Sequence, residues 1–334
     1  RRMDAELRRG ERGSWLPRMR LERENLRAAL DWAGGAPGDL GLELATHLAR
    51  FWAQDGWPRE GATLLELMLA SGTGDRGLRA TALHRAGELA FLQGDYETAR
   101  ARLEASLALK EALGDERGVG RRLNLLSIVA TARGDFTQAQ RLAARTLEIA
   151  QRLGDDRGTA WACLSLGYAA FMSGDRGAAE AAFRKAIRIH SQVDDTLGVA
   201  FDLGGMIWLD LERGEVEEAR TLISEGIAVL ERADLLAGQP SWMLGGLLLA
   251  AAEGRYAAAL RLSGAIDATR RTGLQQMGAI KARYQSTVDH ARREVGEQEA
   301  ARLMAEGAAM EVEDLIHEIF PPEEGVGDHT SASA

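Results

Sequence analysis

Cysteine is almost missing from this chain. Cys163 stands alone among 334 residues, so neither an internal disulfide nor a cysteine-built zinc site can form. That usage suits a reducing, cytoplasmic setting. Lysine is nearly as rare (Lys110, Lys185, Lys281), so almost all basic charge is arginine. No Gly-Lys pair occurs, which excludes a P-loop and, with it, ATP hydrolysis by these residues alone. Positive charge is in deficit, with 41 Lys+Arg against 50 Asp+Glu and a net charge of -9. Direct nucleic-acid binding, which needs a basic stripe to replace phosphate counterions, is not expected. No run reaches the roughly eighteen apolar residues of a membrane span. The opening "RRMDAELRRG" has no apolar h-region, so it does not read as a signal peptide. It does not begin with Met, and the chain is expected to be a piece of a longer protein.

Catalytic and metal patterns are also wanting. His47, His84, His190, His290, His317 and His329 never stand four apart, and no His-Glu-x-x-His occurs. Asp155-Asp156 and Asp194-Asp195 fall in turns, where aspartate caps helices rather than holding metal. Cys163 lies on an apolar helical stripe and reads as a buried, inert thiol. No convergent Ser-His-Asp set can be argued, so an enzyme is not expected, and neither a cofactor nor a metal is called for. "SGTGDRGL" holds Gly72, Gly74 and Gly77 in G-x-G-x-x-G spacing. A dinucleotide site needs a strand before that motif, and "LLELMLA" precedes it with helical spacing, so it reads as an inter-helix loop.

What is present is a period. "QGDYETA" (Gly94), "RGDFTQA" (Gly134), "SGDRGAA" (Gly174), "RGEVEEA" (Gly214) and "EGRYAAA" (Gly254) recur every forty residues. Between them run "LGDERG" (Leu113), "LGDDRG" (Leu153), "VDDTLG" (Val193) and "ADLLAG" (Ala233), also forty apart. A fixed period of this size means stacked supersecondary units. Glycine suits the left-handed residue past a helix end, and the aspartate after it suits the next N-cap. Gln138, three residues after Asp135, is the expected capping-box partner. Each unit is therefore a hairpin of two helices of about sixteen residues, roughly 25 Å long.

In the third unit Cys163, Leu166, Gly167 and Ala170 share one helical face, and Ala179, Phe183, Ala186 and Ile187 form the facing stripe. Cys163-x2-Leu166-Gly167-x2-Ala170…Ala179-x3-Phe183 resembles the tetratricopeptide pattern W-x2-L-G-x2-Y…A-x3-F…P. The alanine returns as Ala99, Ala139, Ala179, Ala219 and Ala259. Departures are a period of forty instead of thirty-four, a Gly-Asp turn in place of the final proline, and Asp210 where a small residue belongs. The expected fold is all-α: a right-handed α-α superhelix of about five 40-residue tetratricopeptide-like repeats with helical N- and C-terminal flanks. The boundaries are 1–75 for an N-terminal helical flank of about three helices, 76–270 for the array, 271–320 for a C-terminal cap, and 321–334 for a disordered tail.

In the flanks, Leu26, Leu30 and Ala33, then Leu44, Leu48 and Phe51, then Leu64, Leu65 and Met68 keep helical spacing, and Pro58 suits a first turn. Charge is uneven: residues 1–27 hold nine Arg against five acids, and 296–334 hold ten acids against one Arg. "LERENLRAALDWA", "LARFWAQDGWPREGATLLELML", "LGDDRGTAWACLSLGYAAFMSGD" and "AIKARYQSTVDHARREVGEQEAARLMAEGAAMEVEDLI" follow in that order. Together they resemble the tetratricopeptide region of bacterial MalT-like, LuxR-type STAND transcriptional regulators. The resemblance implies an upstream NTPase module, which the basic N-terminal helices would dock, and a downstream DNA-binding domain in the same polypeptide.

In stacked hairpins the first helices line the inner wall, and groove positions lie one residue past the core stripe, about 100° round the helix. These are Thr81, His84, Glu88 and Phe91; Arg121, Asn124, Ile128 and Thr131; Trp161, Leu164, Tyr168 and Phe171; and Phe201, Gly204, Trp208 and Leu211. The wall should run from polar to aromatic. Trp161, Leu164, Tyr168, Phe171, Phe201 and Trp208 either pack as core between units or line a pocket for a protein, a peptide or a small effector. His84, Glu88, Arg121 and Asn124 would then fix the polarity of such a pocket. The expected function is a non-enzymatic sensor and interaction array whose ligand relieves autoinhibition of a regulator. The alternative is a constitutive scaffold of the co-chaperone type, gripping an acidic tail through Arg121 and Asn124.

Overall fold

An aspartate starts a helix every twenty residues from Asp75 to Asp195, and that rhythm organises the computed structural model, which describes residues 15–35, 38–54, 57–71, 74–232, 241–269 and 278–320. The side chains of Asp75, Asp95, Asp115, Asp135, Asp155, Asp175 and Asp195 each accept the backbone N–H three positions on. Each cap satisfies a donor that the first helical turn leaves orphaned. Among the described residues every regular element is an α-helix. They are α1 (Trp15–Leu21), α2 (Arg23–Gly35), α3 (Leu40–Gln54), α4 (Pro58–Ser71), α5 (Arg76–Leu92), α6 (Tyr96–Ala112), α7 (Glu116–Ala132), α8 (Phe136–Arg152) and α9 (Asp156–Ser173). There follow α10 (Arg176–Gln192), α11 (Thr196–Arg213), α12 (Val216–Arg232), α13 (Ser241–Ala252), α14 (Tyr256–Thr269), α15 (Gly278–Val295), α16 (Glu297–Ala309) and α17 (Val312–Ile319).

The turns work as the glycines require, with one correction. Gly134 has φ +81, which lets the Asp135 N–H fold back onto the Ala130 carbonyl at 2.9 Å. That donor is therefore spent on closing α7, and the expected capping box with Gln138 is only half formed. Gln138 gives its backbone N–H to Asp135 at 3.1 Å. The Ala233 turn of the second series lies outside the described residues, as do Gly72, residues 1–14 and the tail 321–334.

Consecutive helices fold back on one another as antiparallel hairpins, α5/α6 through α13/α14, and the hairpins stack into the α-α superhelix. The repeating alanines are buried inside this stack. Ala99, Ala139, Ala179, Ala219 and Ala259 are none of them more than 2% exposed. Phe183 fills the third unit between two glycines. A methyl group at Gly167 or Gly205 would lie 2.5 Å from its ring. Cys163 and Ala170 are buried as expected, whereas Leu166 is only half-buried, because α9 rotates its small residues toward α10.

The flanks close the two ends. Leu30, Leu48, Phe51, Leu65 and Met68 form one core with Leu83 and Leu89 of α5, and Ala33 is buried as well. At the other end Gly264 and Gly307 let the backbones of α14 and α16 touch where any side chain would collide. Arg255 holds the carbonyls of Glu318 and Ile319, and Ile319 is fully buried over Gly246. No helix among the described residues is long and apolar enough to cross a membrane.

Candidate binding cavity

A half-open cavity of about 570 Å³ is lined by α5, α7, α8 and α9 and by Arg50 of α3. His84 and Glu88 reach it from α5, Arg121, Asn124 and Ile128 from α7, and Trp161 from α9. Arg121 and Trp161 are one period apart, so the repeat itself delivers both to the same face.

Hydrogen-bond capacity in the cavity is lopsided. The carboxylates are already occupied: Glu88 by Arg85 at 2.6 Å, and Asp155 by Arg117 at 3.1 Å and by the Gly158 amide. The donors are not. Arg121 is exposed and has no ion-pair or hydrogen-bond partner among the described residues. Asn124 accepts from the Ser165 hydroxyl at 3.0 Å, which leaves its amide N–H groups unused. His84 Nδ1 is buried without a partner.

Charge is lopsided in the same direction. Arg50, Arg117, Arg121 and Arg157 face the cavity against Glu88 and Asp155 only. Behind the wall lies Arg122, 3% exposed, held by Ser106 Oγ at 3.0 Å and by the carbonyls of Gly118 and Ala80. Among the described residues no carboxylate is ion-paired with it, and Asp115 only partly offsets its charge. Burial, then repulsion from Arg121, lowers its pKa to about 10. Burial, then the charge of Arg122, drops His84 to about 3, so His84 is a neutral imidazole. Burial alone would raise Glu88, but the charge and hydrogen bond of Arg85 outweigh it and hold Glu88 below the usual carboxylate range. In a chain of net charge -9, this concavity is a local positive site.

The sequence-derived groove residues thus divide. His84, Glu88, Arg121, Asn124 and Trp161 come together around the cavity, whereas Leu164, Tyr168, Phe171, Phe201 and Trp208 do not line it. Leu164, Phe171 and Trp208 are buried. Phe171 and Trp208 meet edge to face at 6.3 Å, with the Arg176 guanidinium over Phe171 and Arg283 of α15 over Trp208. Tyr168 meets Phe183 edge to face at 5.2 Å and donates its hydroxyl to the Phe201 carbonyl. These aromatics take the packing role weighed against the pocket. The reason is geometric: α9 and α11 pack side by side, so Leu164, Phe171 and Trp208 are covered by neighbouring helices and not left open to solvent.

Sequence reasoning missed Arg50, Arg117 and Arg157. The last two stand forty apart in "LGDERG" and "LGDDRG", a visible signal that the capping role of those turns obscured. Among the described residues no group of three or more His, Cys, Asp or Glu is arranged to hold a metal ion. Burial raises the Cys163 thiol, as for an inert packing residue.

Comparison with known proteins agrees with this architecture. Residues 78–152 and 121–192 match the tetratricopeptide repeat family. Curated proteins offer no matching relative. Among solved structures, a Rap protein complexed with competence and sporulation factor is similar at a TM-score of 0.63 and 13% identity, over 82% of this chain and 75% of that one. The apo form of RapI is similar at 0.52 and 11% identity, over 76% and 98%. BtubC (BKLC) from P. vanneervenii is similar at 0.50 and 18% identity, over 66% and 92%. At these identities the likeness is one of fold. Residues 78–192 carry tetratricopeptide repeats, within a chain whose fold is a tetratricopeptide-like helical array.

Proposed function

We propose that the array is a non-enzymatic sensor and interaction region that binds an acidic peptide segment in the cavity between α5, α7 and α9. The observation that carries this reading is the unspent donor set, Arg121 above all, in a cavity whose own carboxylates are engaged. A ligand there must accept hydrogen bonds and bring negative charge. Leu125, Ile128, Ile149 and Trp161 add apolar wall, so the best partner carries an aliphatic or aromatic residue beside its carboxylate. The fold supports the reading in that a similar array, the solved Rap protein, is complexed with a factor. Following the sequence resemblance, we place the array in a cytoplasmic bacterial transcriptional regulator of the MalT-like STAND type. Peptide binding there would release an NTPase module upstream and so an output domain downstream.

A hexapeptide bead library tests the binding step. The wild-type chain should enrich Asp or Glu beside Leu, Phe or Trp. Arg121→Gln should weaken the enriched peptide at least tenfold, about 1.4 kcal/mol, as expected for a charge-assisted hydrogen bond. Enrichment with no acidic preference, or an unchanged Arg121→Gln, would refute it. A constitutive scaffold would bind the same peptide but leave the repeat packing as it is in the free chain.

A further inference from the structure

The joint between the third and fourth repeats differs from the one before it at linked positions. One period earlier, Arg117 Nε pairs with Asp155 at 3.1 Å, and Arg157 Nε pairs with Asp195 at 2.7 Å in the same way. Around the second pair, however, Gly154 is replaced by Asp194, Ala150 by His190 and Ala162 by Asp202. Asp194, at φ +52, is the one non-glycine residue in the left-handed region among the described residues. His190 Nδ1 lies 2.7 Å from Asp202 Oδ2, both side chains fully buried, and its ring occupies the space a side chain at Gly198 would need. His190 Nε2 and Asp202 Oδ1 have no hydrogen-bond partner.

Asp195 connects this buried cluster to the cavity. Its Oδ2 accepts from Arg157 and, at 3.0 Å, from the Trp161 indole, both of which line the cavity. Its Oδ1 caps α11 through the Gly198 amide, and His190 Nε2 stands 3.9 Å from Oδ2. The Asp195 side chain is 4% exposed, while that of Arg157 is 59% exposed. An exposed guanidinium turns toward a new anion at little cost. A buried carboxylate cannot follow it and, left without its cation and with only the Trp161 and Gly198 N–H donors, is disfavoured.

We propose that this joint is a ligand-operated release: an acidic ligand in the cavity draws Arg157 from Asp195, and the α10–α11 turn opens to rehydrate the carboxylate. The proposal rests on the cavity binding an anion, as argued above. Opening also frees Asp194 from its left-handed conformation, so strain and electrostatics push the same way. The ligand then favours the opened joint over the closed one, the differential that any ligand-driven change requires.

Amide hydrogen exchange on the whole chain tests it in two arms. In the ligand-free chain, Arg157→Gln should speed exchange at Gly198 and Val199 at least tenfold. Arg117→Gln should do nothing comparable at Gly158 and Thr159, where no strained residue or buried histidine lies behind the pair. The library-selected acidic peptide should speed exchange at Gly198 and Val199 in the wild-type chain. Unchanged exchange in Arg157→Gln, or an equal response to Arg117→Gln at its own joint, overturns the release. A peptide that binds while these amides slow or stay constant overturns it too, with the binding cavity intact. Failure of every library peptide to bind removes the cavity reading and the release together.

Discussion

Asp210 occupies the position at which the third unit has Ala170, and it is 5% exposed. No side chain or backbone group among the described residues donates to its carboxylate. Burial, then the charge of Glu215, raises its pKa to about 6. The sign of the consequence follows from linkage. Between about pH 4 and 6 the folded chain holds a proton that the unfolded chain has lost, so stability falls as pH rises through that window. Restoring the small residue, Asp210→Ala, should therefore stabilise the chain at pH 7 by about 1 kcal/mol, allowing for water that still reaches the carboxylate. It should give no such gain below about pH 4. Urea denaturation at the two pH values measures both, and equal effects at the two would contradict the assignment. The anomaly at Asp210 was legible in the sequence as a break in the pattern. Its cost was not, because burial and the approach of Glu215 are properties of the fold.

At the scale of helices, the small residues of the stripe do unequal work, and only the structure says which. Gly205 of α11 and Gly167 of α9 clasp the Phe183 ring of α10. Gly205→Ala should cost about 1–3 kcal/mol, since the ring is fully buried and has nowhere to move. Gly226 of α12 has only Leu203 at 3.8 Å from where its Cβ would lie. Gly226→Ala should therefore gain up to about 1 kcal/mol from helix propensity alone. Thermal melts of the two variants should shift in opposite directions, and shifts of the same sign would show that the hairpin contacts are misjudged. The repeat period, the helix caps and the alanine stripe could all be read from the chain because each is a local rule repeated every forty residues. The aromatic wall could not. Whether Phe171 and Trp208 face solvent depends on how close the next first helix comes, which no local spacing encodes.

For the molecule as a whole, the two ends of the superhelix have separate tasks. The apolar α13 is wrapped by α14, α15 and α17, and Arg283 of α15 covers Trp208. Stability in such a stack is nearly a sum over neighbouring units. Deleting residues 312–320 uncovers Gly246 and removes Ile319, so it should lower the melting temperature by several degrees. It should leave peptide affinity unchanged, because the cavity draws nothing from α10 to α17. An equal loss of affinity and stability would mean that the stack behaves as one cooperative body. The cavity was half legible from sequence. His84, Glu88, Arg121, Asn124 and Trp161 were found by period, Arg117 and Arg157 stood in the same period but were masked by the capping turns, and Arg50 required the packing of the flank. The claim on which the functional account turns is that Arg121 is an anchor waiting for an acceptor. The most direct measurement is a crystal structure of the chain with its selected acidic peptide. The account predicts the peptide carboxylate within hydrogen-bond distance of Arg121 and Asn124. Density for the peptide on the convex face, or against Trp208, would contradict it.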